Sequence, residues 1–242
     1  MKFSIVSLRN TQRITEIIDM FGHDIDNNKP DFIITYGGDG TILHAERKYP
    51  GIPKITILPT AKPTEGSVGF KCMYSEEELE DIIIKIDNGE YILKEEIKLE
   101  TNFQGRKYLS LNEVQLHNYS PIKAVIFSIY IENIALLENV IGDGVIIATP
   151  FGSSVYYSSV GVNKFNKGIG IALNNPYNVK SKPEVIDEGF DYDINIKILQ
   201  KTSKDANNGL LLFDNDNKMI KVKGGDSIIV KRSKDTAKFV LI

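Results

Sequence analysis

The side chains best suited to chemistry stand together early in the chain, at Gly37-Gly38-Asp39-Gly40-Thr41. Mostly apolar residues 32–35 precede them and predict a short buried strand. Ile42, Leu43, Ala45 and Glu46 begin a helix. A strand that stops at glycines and opens a helix leaves free backbone N–H groups, which attract phosphate. Glycine lacks Cβ, so the backbone there can approach a ligand closely. Asp39 is an acid among those amides, able to take a proton from a hydroxyl or to help hold a metal ion. The same residues also read as a tight turn capped by Asp or Thr.

A second group lies beyond residue 110. Asn112-Glu113 places a carboxamide beside a carboxylate. In an extended segment the two point to opposite faces. In a loop or bulge both reach one ligand, and a plain turn pair is the other reading. Further on, Gly142-Asp143-Gly144 leads into an apolar strand, then Thr149-Pro150-Phe151-Gly152-Ser153-Ser154, then a helix predicted over 156–162. The amides and hydroxyls of this junction suit a nucleotide's phosphates or adenine edge. Tyr156 and Tyr157 offer stacking rings, or simply fill a core.

The elements that must position these residues divide in two. Residues 2–8 form a first strand. Asn10 or Thr11 caps a helix to about Phe21, with Ile14, Ile17 and Ile18 on one face. Strands at 32–35 and 54–58 follow, giving the alternation of a parallel sheet covered by helices. Ligands bind at the carboxyl ends of such strands, where the glycines lie. A proline- and glycine-containing loop (59–70) ends the third strand. Ser75-Glu76-Glu77-Glu78 is a capping box before a helix that stops at Asn88-Gly89.

From Tyr91 the texture changes to short β-rich runs at 92–101, 107–111, 114–117, 124–131, 142–148, 168–173, 194–199, 210–213, 220–223, 227–231 and 238–242. This pattern predicts an antiparallel sandwich. The fold class is therefore α/β plus all-β: an N-terminal parallel α/β domain (1–92) and a C-terminal β-sandwich domain (93–242), with the tail free to return to the first domain.

A net charge of −3 gives no basic footprint for nucleic acid. The single cysteine, Cys72, fits a reducing cytoplasm and an inert packing role. His23, His44 and His117 show no zinc-ligand spacing with it. The N-terminus lacks the apolar core of a signal peptide, and no apolar run is long enough to span a bilayer. The location expected is the cytoplasm, with no membrane partner.

Gly-Gly-Asp-Gly-Thr resembles the signature shared by NAD kinases, diacylglycerol and sphingosine kinases, and phosphofructokinases. Its order before Asn112-Glu113 and the Asp-Gly strand leading to a Thr-Pro-x-Gly-Ser turn resembles the NAD kinase family over roughly residues 31–162. The resemblance implies an interdomain dinucleotide site and transfer of the γ-phosphoryl group of ATP, carried with Mg²⁺ or another divalent metal, to the 2′-hydroxyl of NAD. It implies Asp39 as the catalytic acid/base, and Gly37, Gly38, Gly40 and Thr41 as the phosphate-binding turn. Asn112 would meet the adenine edge, Glu113 a ribose hydroxyl, and Asp143 the nicotinamide end. Ser153, Ser154, Val155, Tyr156 and Ser159 would form the dinucleotide-binding turn and helix. Homodimers or homotetramers are implied as well.

The sequence departs from the family pattern at several points. Phe151 stands for threonine, Ser154-Val155 for Thr-Ala, Asp214-Asn215 for Asp-Gly, and the longer stretch 60–66 for Asn-x-Gly. Two other readings stay open: a dinucleotide-binding sensor without catalysis, and a kinase of a lipid or small alcohol. NADH as acceptor and polyphosphate as donor also remain open.

Overall fold

The structure is a computed structural model describing residues 1–59, 71–180, 184–186, 192–200 and 207–242. It is mostly sheet with few helices, and it divides into two compact units, Met1–Glu96 with Thr236–Ile242, and Ile97–Asp235. The loop predicted over 59–70 lies, but for Pro59, outside the described residues.

The first unit contains β1 (Lys2–Val6), α1 (Gln12–Met20), β2 (Asp24–Ile25), β3 (Phe32–Tyr36), α2 (Asp39–Lys48), β4 (Lys54–Leu58) and β5 (Tyr74–Ser75). A 3-10 turn (Glu76–Glu78) and α3 (Leu79–Asp87) follow. The strands run parallel in the order β2-β1-β3-β4, and β5 also pairs with β4. Alternation decides the faces. Phe3, Phe32, Ile34, Tyr36, Ile55 and Ile57 point to one side, where Ile14, Ile17 and Ile18 of α1 and Leu79, Ile82, Ile83 and Ile86 of α3 cover them. Val6 and Ile33 point to the other side, onto Ala45 and Tyr49. Helix α2 is thus clamped to the end of β3, and its start is fixed in space. The capping box forms, with the Glu78 carboxylate accepting from the Ser75 N–H at 2.7 Å.

The second unit begins within β6 (Ile92–Phe103). It continues through β7 (Arg106–Ser110), β8 (Glu113–Asn118), β9 (Val125–Ile131), β10 (Ile134–Gly142), β11 (Gly144–Ala148) and the one-turn α4 (Tyr156–Ser159). Then come β12 (Ile169–Asn174), β13 (Glu184–Ile186), β14 (Ile194–Ile198), β15 (Asn208–Phe213), β16 (Ile220–Lys223) and β17 (Ser227–Leu241). One antiparallel sheet runs β13-β12-β11-β8-β15-β16. In the other, β10, β9, β14 and β17 pair in turn, and β6 pairs with β17 and β7. Both sheets send apolar residues into one core, among them Val114, Leu116, Val145 and Ile171 from the first and Phe127, Ile129, Ile196 and Val230 from the second.

Three sequence expectations are corrected. Strand β10 was not anticipated, because register shifts after Ala135 and Leu137 break its alternation. The strands expected at 227–231 and 238–242 are one continuous strand, β17, whose residues 236–242 belong to the first unit. The helix expected over 156–162 is a single turn. The Ser158 and Ser159 hydroxyls donate to the backbone oxygens of Val155 and Tyr156, and Gly161 takes a left-handed φ of 85°. Among the described residues no helix is long and apolar enough to cross a membrane.

Candidate active site

In the first unit the five residues beginning at Gly37 form the predicted junction. All of β3 is buried, Gly38 is the N-cap of α2, and Asp39 is its first residue. Gly37 donates its N–H to Ile57 O at 3.1 Å, which ties the turn to β4. A Cβ at Gly37 would lie 2.3 Å from Thr41 Oγ1, so the Thr41 side chain occupies the space a larger residue would need. Asp39 is half-exposed, and its Oδ1 accepts the Lys71 N–H at 2.9 Å. An acid in the first helical turn is also favoured by the helix dipole. Gly40 is exposed and Thr41 half-exposed. Cys72 donates its thiol to Gly37 O at 3.1 Å. Burial, reinforced by the charge of Asp39, pushes this thiol up to about 12, so it stays protonated and braces the turn.

In the second unit Asn112 lies between β7 and β8, and Glu113 is the first residue of β8. Both are 4% exposed. Their backbone is packed against the loop after β11. The Thr149 N–H donates to Asn112 O at 2.9 Å, and the Thr149 hydroxyl donates to Leu111 O at 2.6 Å. Gly152 donates its N–H to Thr149 Oγ1 at 3.1 Å. A Cβ at Gly152 would stand 2.3 to 2.6 Å from three backbone atoms of Asn112, so only glycine fits. Ser153 Oγ lies 2.8 Å from Pro150 O and 3.0 Å from Phe165 O, closing the loop on itself. Phe151, which replaces the family's threonine, is buried.

Three polar atoms in this region are buried without a hydrogen-bond partner: Asn112 Oδ1, Glu113 Oε2 and Ser154 Oγ. Such atoms cost free energy unless a ligand or water meets them. Glu113 Oε1 accepts from Gln115 Nε2 at 3.2 Å. Burial first, and then the negative charge of Asp214, push the Glu113 carboxyl up to about 8, with the Gln115 bond opposing.

Asp143 is held on both carboxylate oxygens, by Asn118 Nδ2 and Asn175 Nδ2, each at 3.0 Å. The Tyr156 hydroxyl lies 3.0 Å from His117 Nε2 and accepts from Asn174 Nδ2 at 3.3 Å. Burial holds the Tyr156 phenol above its ordinary range and His117 below its own. Val155, the N-cap of the one-turn helix, and Ser159, its last residue, are exposed.

Reasoning from sequence did not single out Asp214 as a residue that holds the 111–113 segment. It follows β15 in the left-handed region (φ 46°), and its carboxylate accepts three successive backbone N–H groups. Its nearest sequence signal is an acid directly after the apolar run 210–213.

Among the described residues no group of three or more His, Cys, Asp or Glu side chains is placed to hold a metal ion. The donors therefore do not fit a metal held by these residues alone.

Residues 111–242 match the ATP-NAD kinase C-terminal domain. An NAD kinase of Thermoplasma volcanium is 31% identical over 223 residues, covering 90% of this chain and 76% of the relative. The fold is similar to that of an NAD kinase from Archaeoglobus fulgidus crystallised in complex with ATP (TM-score 0.80, 21% identity, 99% of this chain and 93% of that one). It is also similar to that of yeast NADH kinase complexed with NADH (TM-score 0.82, 18% identity, 100% and 83%). The chain belongs to the NAD kinase family.

Proposed function

We propose that this enzyme phosphorylates NAD at its adenosine 2′-hydroxyl, with Asp39 as the base. Kinase activity on NAD with ATP, giving NADP, follows from family membership, which does not favour the sensor or the lipid-kinase reading. The observation that carries the assignment of the second unit to the dinucleotide is the trio of buried, unpartnered atoms on Asn112, Glu113 and Ser154. They offer an amide oxygen, a carboxyl group and a hydroxyl that an adenine edge and ribose hydroxyls would use. Asp143, Ser153, Val155, Tyr156 and Ser159 complete the proposed surface.

Phosphoryl transfer needs positioning and charge neutralisation more than covalent help. The amides at the start of α2, with Gly37, Gly38, Gly40 and Thr41 shaping the turn, would receive phosphate oxygens. Mg²⁺ carried with ATP would supply further charge neutralisation there. Asp39, with Oδ1 steadied by the Lys71 N–H, would orient the hydroxyl and take its proton as the oxygen attacks the γ-phosphorus of ATP and the bond to the bridging oxygen breaks, releasing ADP. We assign these roles to an N-terminal α/β domain, to which the tail 236–242 returns, and a β-sandwich domain over about 97–235, in a cytoplasmic homodimer or homotetramer. Light scattering on the purified protein would test the assembly.

The decisive experiment incubates the protein and its Asp39→Asn variant with NAD, Mg²⁺ and ATP and measures NADP. NADP from the parent alone supports the assignment. Equal NADP from both removes Asp39 from the chemistry.

A further inference from the structure

We propose that Asp214 is a positioning residue for dinucleotide recognition, its carboxylate setting the backbone from which Asn112 and Glu113 reach the ligand. The inference rests on the reading of Asn112 and Glu113 as dinucleotide-binding residues, and it adds what holds them in place.

The geometry is specific. Asp214 Oδ1 accepts the Asn112 N–H at 2.7 Å and the Glu113 N–H at 3.2 Å, and Oδ2 accepts the Leu111 N–H at 3.0 Å. The Asp214 N–H returns a bond to Glu113 O at 3.0 Å. One carboxylate thus gathers three consecutive amides of a segment that leaves one strand and enters the next. Charge-assisted bonds of this kind are roughly twice as strong as neutral ones. The residue after β15 must turn back sharply to deliver them, and the φ of 46° at Asp214 is the backbone conformation that does so. The opposite side of the segment is held by Thr149 and by the close approach of Gly152. The segment is clamped from both sides, and the atoms left unpartnered on it are the side-chain oxygens Asn112 Oδ1 and Glu113 Oε2.

Asp214 also has an electrical effect on its neighbour. Its charge adds to burial in keeping the Glu113 carboxyl protonated, and Gln115 works against it. The other titratable group coupled to Glu113 is Tyr156, whose phenol is neutral throughout the working range. Replacing the carboxylate by a carboxamide of the same shape removes the charge and at least one of the three bonds.

The test compares the parent with Asp214→Asn, Asp214→Glu and Glu113→Gln, using NAD binding by calorimetry and steady-state kinetics across pH 5–9. Asp214→Asn is expected to raise the Kd and KM for NAD by about 10-fold, with KM for ATP within about 2-fold. The limb of the kcat/KM profile that Glu113→Gln abolishes should move about 1 pH unit lower in Asp214→Asn. Asp214→Glu keeps the charge and should hold that limb in place. If Asp214→Asn does not fold, Asp214→Glu is judged by the same split between NAD and ATP.

A fall in kcat alone, with both KM values and the limb unchanged, means that Asp214 only stabilises the fold, and overturns the proposal. If Glu113→Gln leaves NAD affinity unchanged, the underlying reading of the segment fails instead. If Glu113→Gln weakens NAD while Asp214→Asn does not, the reading survives and the positioning role falls.

Discussion

Replacing Asp39 by Asn separates chemistry from architecture cleanly. The carboxamide has the shape of the carboxylate and keeps an oxygen for the Lys71 N–H, which now lies 2.9 Å from Oδ1. What disappears is the basicity and the charge. The structural cost is small: the residue is half-exposed, and an acid in a first helical turn contributes about 0.3–1 kcal/mol. For a chain of this length that is a fall in Tm of about 2–4 °C at most. The chemical cost is larger. A positioned base contributes about 10²–10⁴-fold, and at 1.36 kcal/mol per tenfold this is roughly 3–5 kcal/mol of barrier. The assay is NADP formation under saturating NAD, Mg²⁺ and ATP, read beside thermal unfolding. The expected result is a kcat at least 100-fold lower with Tm nearly unchanged.

The same variant carries an independent check. The Asp39 charge helps hold the Cys72 thiol near 12, so its removal lowers that value, although burial keeps it well above the ordinary range. Alkylation of Cys72 under native conditions should quicken modestly at alkaline pH. Quicker alkylation without loss of turnover would place the carboxylate correctly and refute its role as base.

Other perturbations have equally definite outcomes. Gly152→Ala forces a Cβ into the Asn112 backbone and should cost about 1–3 kcal/mol, seen as a lower denaturation midpoint. Lys54 and Glu46 form a salt bridge with both side chains buried, so Lys54→Met should cost about 3–5 kcal/mol by removing the ammonium that faces the buried Glu46 carboxylate, and Glu46→Gln added to it should recover part of that in urea titrations. The Glu113 carboxyl stands at about 8 in the folded protein against an ordinary 4.5, so between these pH values the unfolded chain gives up a proton that the folded chain keeps. Stability from this group is therefore full below about pH 4.5 and declines by about 1.4 kcal/mol per pH unit until about pH 8. Urea midpoints at pH 5, 7 and 9 check the slope, and Glu113→Gln should flatten it.

What could be read in advance, and what could not, divides along a physical line. The first unit was legible where its central strands β3 and β4 are buried on both faces and its helices on one, whereas the two-residue strands β2 and β5, exposed and half-buried, left no signal. Ile14, Ile17 and Ile18 repeat at helical spacing, the run into Gly37 is wholly buried, and the strand–glycine–helix junction formed where expected. The second unit was legible in kind but not in every boundary. Strand β10 follows a two-residue turn, Glu132-Asn133, whose φ values of 48° and 68° belong to a tight hairpin usually marked by Asn-Gly. Without the glycine the turn is silent in the sequence. Strand β17 crosses a stretch, 232–236, that reads as a break because all five residues are polar; Lys234 and Asp235 are exposed there and Ser233 is buried.

The candidate site divides by the same reasoning. Asp39, Asn112, Glu113 and the serines of the second loop could be singled out as candidates because residue type is written in the sequence. Asp214 was noticed only as half of an altered Asp-Gly pair, because its partners are backbone amides about a hundred residues away. Every residue but proline carries the same N–H, so nothing in the letters at 111–113 asks for a carboxylate. Gly152 escaped for the same reason, since the atoms that exclude its Cβ belong to the backbone of Asn112. Side chains that meet a ligand declare themselves by type. Those that aim them do so through the backbone, and only the folded chain shows where an acid such as Asp214 finds three amides to hold.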